Sequence, residues 1–149
     1  KTSYSDFFRK IEALDCERRI YGAVWNKFSG PIRTLLNNQY VYAGFWRHHN
    51  GICGYSDWQE RFKRDTQKTH RAISKQDTAT ILSLVFDRLY VLRNQLLHGG
   101  ATWDSSVNRA QVKDGAAILA FILPIIIDLM MDHAENQWGE PYYPVIEEA

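Results

Sequence analysis

Between Asp77 and Gly99, apolar residues recur at helical spacing: Leu82, Val85, Leu89, Leu92 and Leu96 follow one another at intervals of 3, 4, 3 and 4. That period puts all five on one face of a helix and cannot serve a strand, whose faces alternate at every second residue. Asp77 is suited to cap the start of this helix, and Gly99-Gly100 to stop it after His98. A stripe of this kind must be buried by other helices, so the expected architecture is an all-α, up-down helical bundle. A second long helix is expected from Val107 to Asp132. From Ala116 to Met131 only Pro124 and Asp128 interrupt its apolar run. Those 16 residues fall short of the roughly 20 that cross a bilayer. The segment therefore reads as the central helix of a soluble core, kinked where Pro124 removes the bond to the Ala120 carbonyl.

The remaining segments also read as helices, with no convincing alternating strand. Residues 5–28 form a first helical region with a break near Cys16. Ser29-Gly30-Pro31 ends it, and Pro31 suits the first turn of a short helix through Leu36. Tyr40–Trp46 is expected as a short aromatic helix and Arg47–Gly51 as a loop. Ser56 and Gln59 fit a capping box that opens a helix to about Ser74. The tail, Trp138–Pro144, is expected to lie extended over the bundle. A chain of 149 residues can build one core without disulfides or metal, so residues 1–149 read as a single domain. It opens on Lys1 rather than Met, as an excerpt lacking N-terminal residues would. Cys16 and Cys53 are too isolated for a disulfide framework and are expected as free, buried thiols in the reducing cytoplasm. A net charge of +1 gives no global field that selects nucleic acid or membrane, so any electrostatic reading must be local.

One segment carries candidate chemistry. The last turns of the Asp77 helix read Arg93-Asn94-Gln95-Leu96-Leu97-His98, followed by a glycine pair that lets a ligand approach closely. Asn94 and His98 are four apart and share a face, whereas Arg93 lies about 140° around the axis from His98. A bland reading stands beside this one. A His at a helix C-terminus complements the helix dipole, Arg93 can pair with any acidic neighbour, and Arg64 with His70 makes a second loose match.

In context, Arg93, the polar Asn94 and His98 at the end of an apolar core helix resemble the motif of the HEPN superfamily. These are all-helical domains found in bacterial defence and toxin ribonucleases, and the likeness spans about residues 77–131. The resemblance implies metal-independent RNA cleavage without a cofactor, at a site shared by two protomers of a homodimer, with Arg93, Asn94 and His98 catalytic. RNA brings its own nucleophile, the 2′-OH, so proton transfer and charge stabilisation suffice. The implied partners are RNA and an antitoxin or regulatory protein, in a cytoplasmic toxin–antitoxin or antiphage setting with no membrane. Gly100 stands where one toxin branch carries a Tyr that accepts AMP, so the residue used by that mode of neutralisation is missing. The alternative is a non-catalytic module of the same kind that binds nucleotide, RNA or a protein partner.

Other features are secondary. Arg64, Lys68, Arg71 and Lys75 form a basic stripe that can track an RNA backbone or simply face solvent. Trp103 can stack a base or anchor the core, and Arg109 can contact phosphate. His48, His49 and Cys53 lack any zinc spacing, and no metal is expected. Arg47 with the two histidines can touch substrate from its loop or be plain surface. Asp87 and Arg88 read as a surface or interface charge pair.

Overall fold

The computed structural model describes residues 4–98 and 109–139. The described chain is all-α. It contains α1 (Tyr4–Leu14), α2 (Arg19–Gly22), a π-helical turn (Ala23–Lys27), α3 (Ser29–Asn37), a 3-10 turn (Gln39–Val41), α4 (Ala43–His49), α5 (Trp58–Lys75), α6 (Thr78–His98) and α7 (Arg109–Asp132).

The expected break near Cys16 is made by Asp15. Its buried carboxylate accepts hydrogen bonds from the backbone N–H groups of Arg19 (2.9 Å), Ile20 (2.7 Å) and Tyr21 (3.4 Å). The free donors at the start of α2 are thereby satisfied from the preceding turn. Pro31 falls within the first turn of α3, as its fixed φ favours. Two thiols depart from expectation: Cys16 and Cys53 are free but exposed, because both fall in polar connections rather than on a core face.

Asp77 caps α6 as its position predicts. Its carboxylate accepts from the Thr80 N–H at 3.0 Å and the Thr80 hydroxyl at 2.8 Å. Burial opposes ionisation, but these bonds, with Arg9 and Lys75 nearby, hold the carboxyl below its ordinary value. A depressed carboxylate stabilises the fold above its unfolded pKa, and this contribution is lost as pH falls through the lower folded value. Asp77→Ala is therefore expected to cost about 1 kcal/mol at pH 7. Urea melts should show the gap to the parent closing below about pH 4.

The centre of the fold is α6, packed on α1, α3 and α5. Ile81, Leu82 and Val85 are fully buried there, and Leu89 and Leu92 continue the stripe. Leu96 departs from it at 52% exposure: the described neighbours cover the stripe only as far as Leu92 and Gln95. The second long helix, α7, is not the central one. It packs a single face on α1, α2 and α3 through Ile118, Ile122, Ile125, Ile126 and Leu129. Phe121, Leu123, Ile127 and Met131 on its other side are exposed, Met131 at 71%. By length and composition alone α7 is apolar enough to cross a membrane. The helix continues on both sides of Pro124. Gly115 lets α7 come close to α6, since a Cβ there would sit 2.7 Å from Leu89 Cδ2. Beyond α7, Trp138 returns to α1 beside Phe7 and Lys10. From residue 140 onward the expected tail lies outside the described residues.

Two local expectations are corrected. Arg47, His48 and His49 belong to α4 rather than to a loop. His49 stacks on Phe45 one turn earlier, with ring centroids 4.1 Å apart, and its Nδ1 lies 3.2 Å from the Phe45 carbonyl. Those contacts carry the helix to its final residue. Ser56 does not cap α5: Asp57 stands at that boundary, and its carboxylate pairs with Arg61 at 2.8 Å instead of capping.

Candidate functional site

Along one side of α6 runs a groove of about 660 Å³, walled on the opposite side by α4. Asp87, Val91, Asn94 and His98 follow at spacings of 4, 3 and 4, so a single helix face supplies this wall from end to end. Asp87 and His98 are 11 residues apart, about 16 Å along the axis. Tyr42, Trp46 and Arg47 supply the facing wall. Trp46 is held by its indole N–H, which donates to the Tyr40 carbonyl at 2.7 Å. The Gln95 amide donates to the same carbonyl, tying α6 to the segment that leads into α4.

At the Asp87 end the floor is Arg88, only 4% exposed. Its Nη2 donates to Asp65 of α5, and its guanidinium lies 4.8 Å from the Tyr42 ring centroid and 6.0 Å from that of Phe62. The expected Asp87–Arg88 surface pair is thus corrected. Neighbouring helix positions point about 100° apart, so Arg88 turns inward to α5 while Asp87 faces the groove. Burial among the groove walls, reinforced by the Asp65 charge, pushes the Asp87 carboxyl up against the pull of Arg88 and Lys68. Tyr42 is pushed up as well, by burial and then by Asp65. A raised carboxyl stabilises the fold below its unfolded pKa, and that contribution disappears as pH rises through the folded value. Asp87→Asn is accordingly expected to be at least as stable as the parent at pH 7. Thermal melts at pH 7 and pH 4 should show its advantage shrinking in acid.

The structure unites some of the candidate residues and separates others. Asn94 and His98 share the groove wall, with His98 exposed at the end of α6. Arg93 is exposed beside them but off that wall, and its Nη1 donates to Asn94 Oδ1 at 3.2 Å. Arg64, Lys68 and Arg71 lie on the exposed face of α5, outside the groove lining, to which α5 contributes Asp65. Arg109 is exposed at the start of α7, also away from the groove lining. Trp103 lies outside the described residues. His48 and His49 are spent on aromatic contacts with Trp58 and Phe45.

Compared with family models, with curated proteins and with solved structures, the chain matches none. The site has to be read from its own geometry. Chemically, the groove combines an imidazole, amides, aromatic rings, one exposed guanidinium in Arg47 and one free carboxylate in Asp87. That mixture suits a ligand with flat rings, an anionic group and hydrogen-bonding edges. Sequence reasoning missed Tyr42, Trp46 and the Arg88–Asp65 floor. The signal within reach was Asp65, the lone acidic residue in a helix stretch holding six Lys and Arg between 61 and 75.

Proposed function

We propose that this chain is a metal-independent endoribonuclease of the HEPN type, cutting RNA by 2′-OH attack. It would act as a cytoplasmic homodimer whose site is completed across the two protomers, in a toxin–antitoxin or antiphage setting with an antitoxin or regulatory protein as partner. The observation that supports this reading is the placement of His98, exposed at the end of α6 and sharing a groove wall with Asn94. An imidazole there can take the 2′-hydroxyl proton or protonate the leaving 5′ oxygen. Arg93, always charged and fork-shaped, suits the charge that builds on the phosphate oxygens. Asn94, which accepts a hydrogen bond from Arg93 and shares the groove wall with His98, would orient His98 or bind phosphate. None of these steps calls on a cofactor.

A second reading is favoured by the position of Arg93 off the groove wall: a non-catalytic module that holds RNA, a nucleotide or a protein in the groove. Incubating mixed cellular RNA with the protein in EDTA, and analysing product ends for 2′,3′-cyclic phosphate, separates the two. Cyclic ends support the nuclease. Intact RNA that remains bound supports the module and overturns the nuclease.

A further inference from the structure

The groove's far end, three helical turns from His98, holds an unusual juxtaposition. Asp87 offers two carboxylate oxygens, and Arg88, next in sequence, lines the same groove. Arg88 is buried and rigidly held: Asp65 takes Nη2, the rings of Tyr42 and Phe62 flank the guanidinium, and Nε has no hydrogen-bond partner among the described residues. A guanidinium has five donors, so this one keeps donor capacity beyond its bond to Asp65. Across the groove stands the Trp46 ring, fixed by its bond to Tyr40. A flat ring, a pair of acceptors and an adjacent donor therefore line one groove.

We propose that Asp87 and Arg88 form a recognition subsite for the Watson–Crick edge of a guanine base that stacks on Trp46. Guanine presents two neighbouring donors, N1–H and the N2 amino group, which match the two oxygens of one carboxylate. Its O6 acceptor lies beside them, where a guanidinium can donate. The other bases fit less well. Uracil flanks its single imino donor with two carbonyls that a carboxylate repels, and adenine and cytosine each set a ring-nitrogen acceptor next to their amino group. Stacking alone tolerates any base, so discrimination has to come from the edge. Asp87 is the free carboxylate for this purpose, because Asp65 is committed to Arg88.

This subsite deepens the RNA-cleaving reading and rests on it only for the source of the base, an RNA strand rather than a free nucleotide. The test is fluorescence-anisotropy titration of the full chain with labelled U-rich pentanucleotides carrying one central G, A, C or U. All are 2′-O-methylated so that no 2′-OH attack can occur, and GMP is titrated separately as a competitor. The G pentamer is expected to bind about tenfold more tightly than the others, and Asp87→Asn to bring all four within about twofold. Equal binding of the four pentamers by the parent chain overturns the subsite and leaves the RNA reading intact. A G preference that survives Asp87→Asn overturns it too. Binding of GMP with no binding of any pentamer keeps the subsite and overturns the RNA reading. Binding of nothing overturns both.

Discussion

His98→Ala and Arg93→Ala are each expected to abolish RNA cleavage that the parent chain carries out in EDTA. A positioned acid or base contributes about 10²–10⁴ in rate, so loss of the His98 imidazole should push cleavage below detection in ordinary gel assays. Removing Arg93 deletes a fixed charge at the phosphate, with a loss of about 10²–10³. The result is interpretable because both side chains are exposed. Exposed substitutions of this kind usually change stability by less than about 0.5 kcal/mol, so circular dichroism should show both variants melting with the parent. Asn94→Ala is expected to fall between parent and the other variants, since it frees Arg93 from its 3.2 Å bond without removing the charge. Variants that cut as fast as the parent would assign the activity to a contaminant or to another part of the chain. A parent that cuts nothing, in the dimeric state, would leave the binding module as the better reading.

Arg88→Ala carries the largest expected effect on stability. It leaves the Asp65 carboxylate without its partner and opens a void against Tyr42 and Phe62. Breaking a fully buried pair in this one-sided way typically costs about 3–5 kcal/mol; with Asp65 22% exposed the loss should lie near the lower figure, which lowers Tm by about 10 °C for a domain of this size. Replacing both partners, as Arg88→Met with Asp65→Leu, should recover most of that loss, because apolar groups of similar shape leave no unpaired charge behind. Arg88→Lys keeps the charge but not the planar fork and should fall between. Thermal melts of the four proteins read this directly. An Arg88→Ala protein melting within about 1 °C of the parent would mean that other contacts hold α5 and α6 together beneath the groove.

The helical architecture was legible because its signals are local. The 3–4 spacing of the Leu82 stripe, the Asp77 cap and the Pro31 helix start each act within a turn or two of sequence, and each is found in the structure. The groove was only half legible. Asn94 and His98 share a face by counting alone, but their opposite wall comes from α4, an aromatic segment with no periodic pattern to announce which ring faces where. The Arg88–Asp65 pair joins residues 23 apart on different helices, and nothing in either local stretch marks the other as its partner. The errors have physical causes as well. His48-His49-Asn50-Gly51 has the composition of a turn, yet stacking of His49 on Phe45 carries α4 through His49 and leaves only Asn50 and Gly51 to turn. Ser56 has the spacing of a cap, yet the Asp57–Arg61 bond sets the boundary one residue later. Leu96 keeps the period of the stripe but lies past the end of its described cover.

The uncovered side of α7 has a colloidal consequence. Phe121, Leu123, Ile127 and Met131 present an apolar surface to water while the whole chain carries a formal charge of only +1 and a pI near 8.0. With little electrostatic repulsion between molecules, that surface is free to drive association. Solubility should pass through a minimum close to pH 8, and sulfate should lower it further by strengthening apolar contact. Handling the protein one or two pH units below that point, where added positive charge separates the molecules, should keep it dispersed.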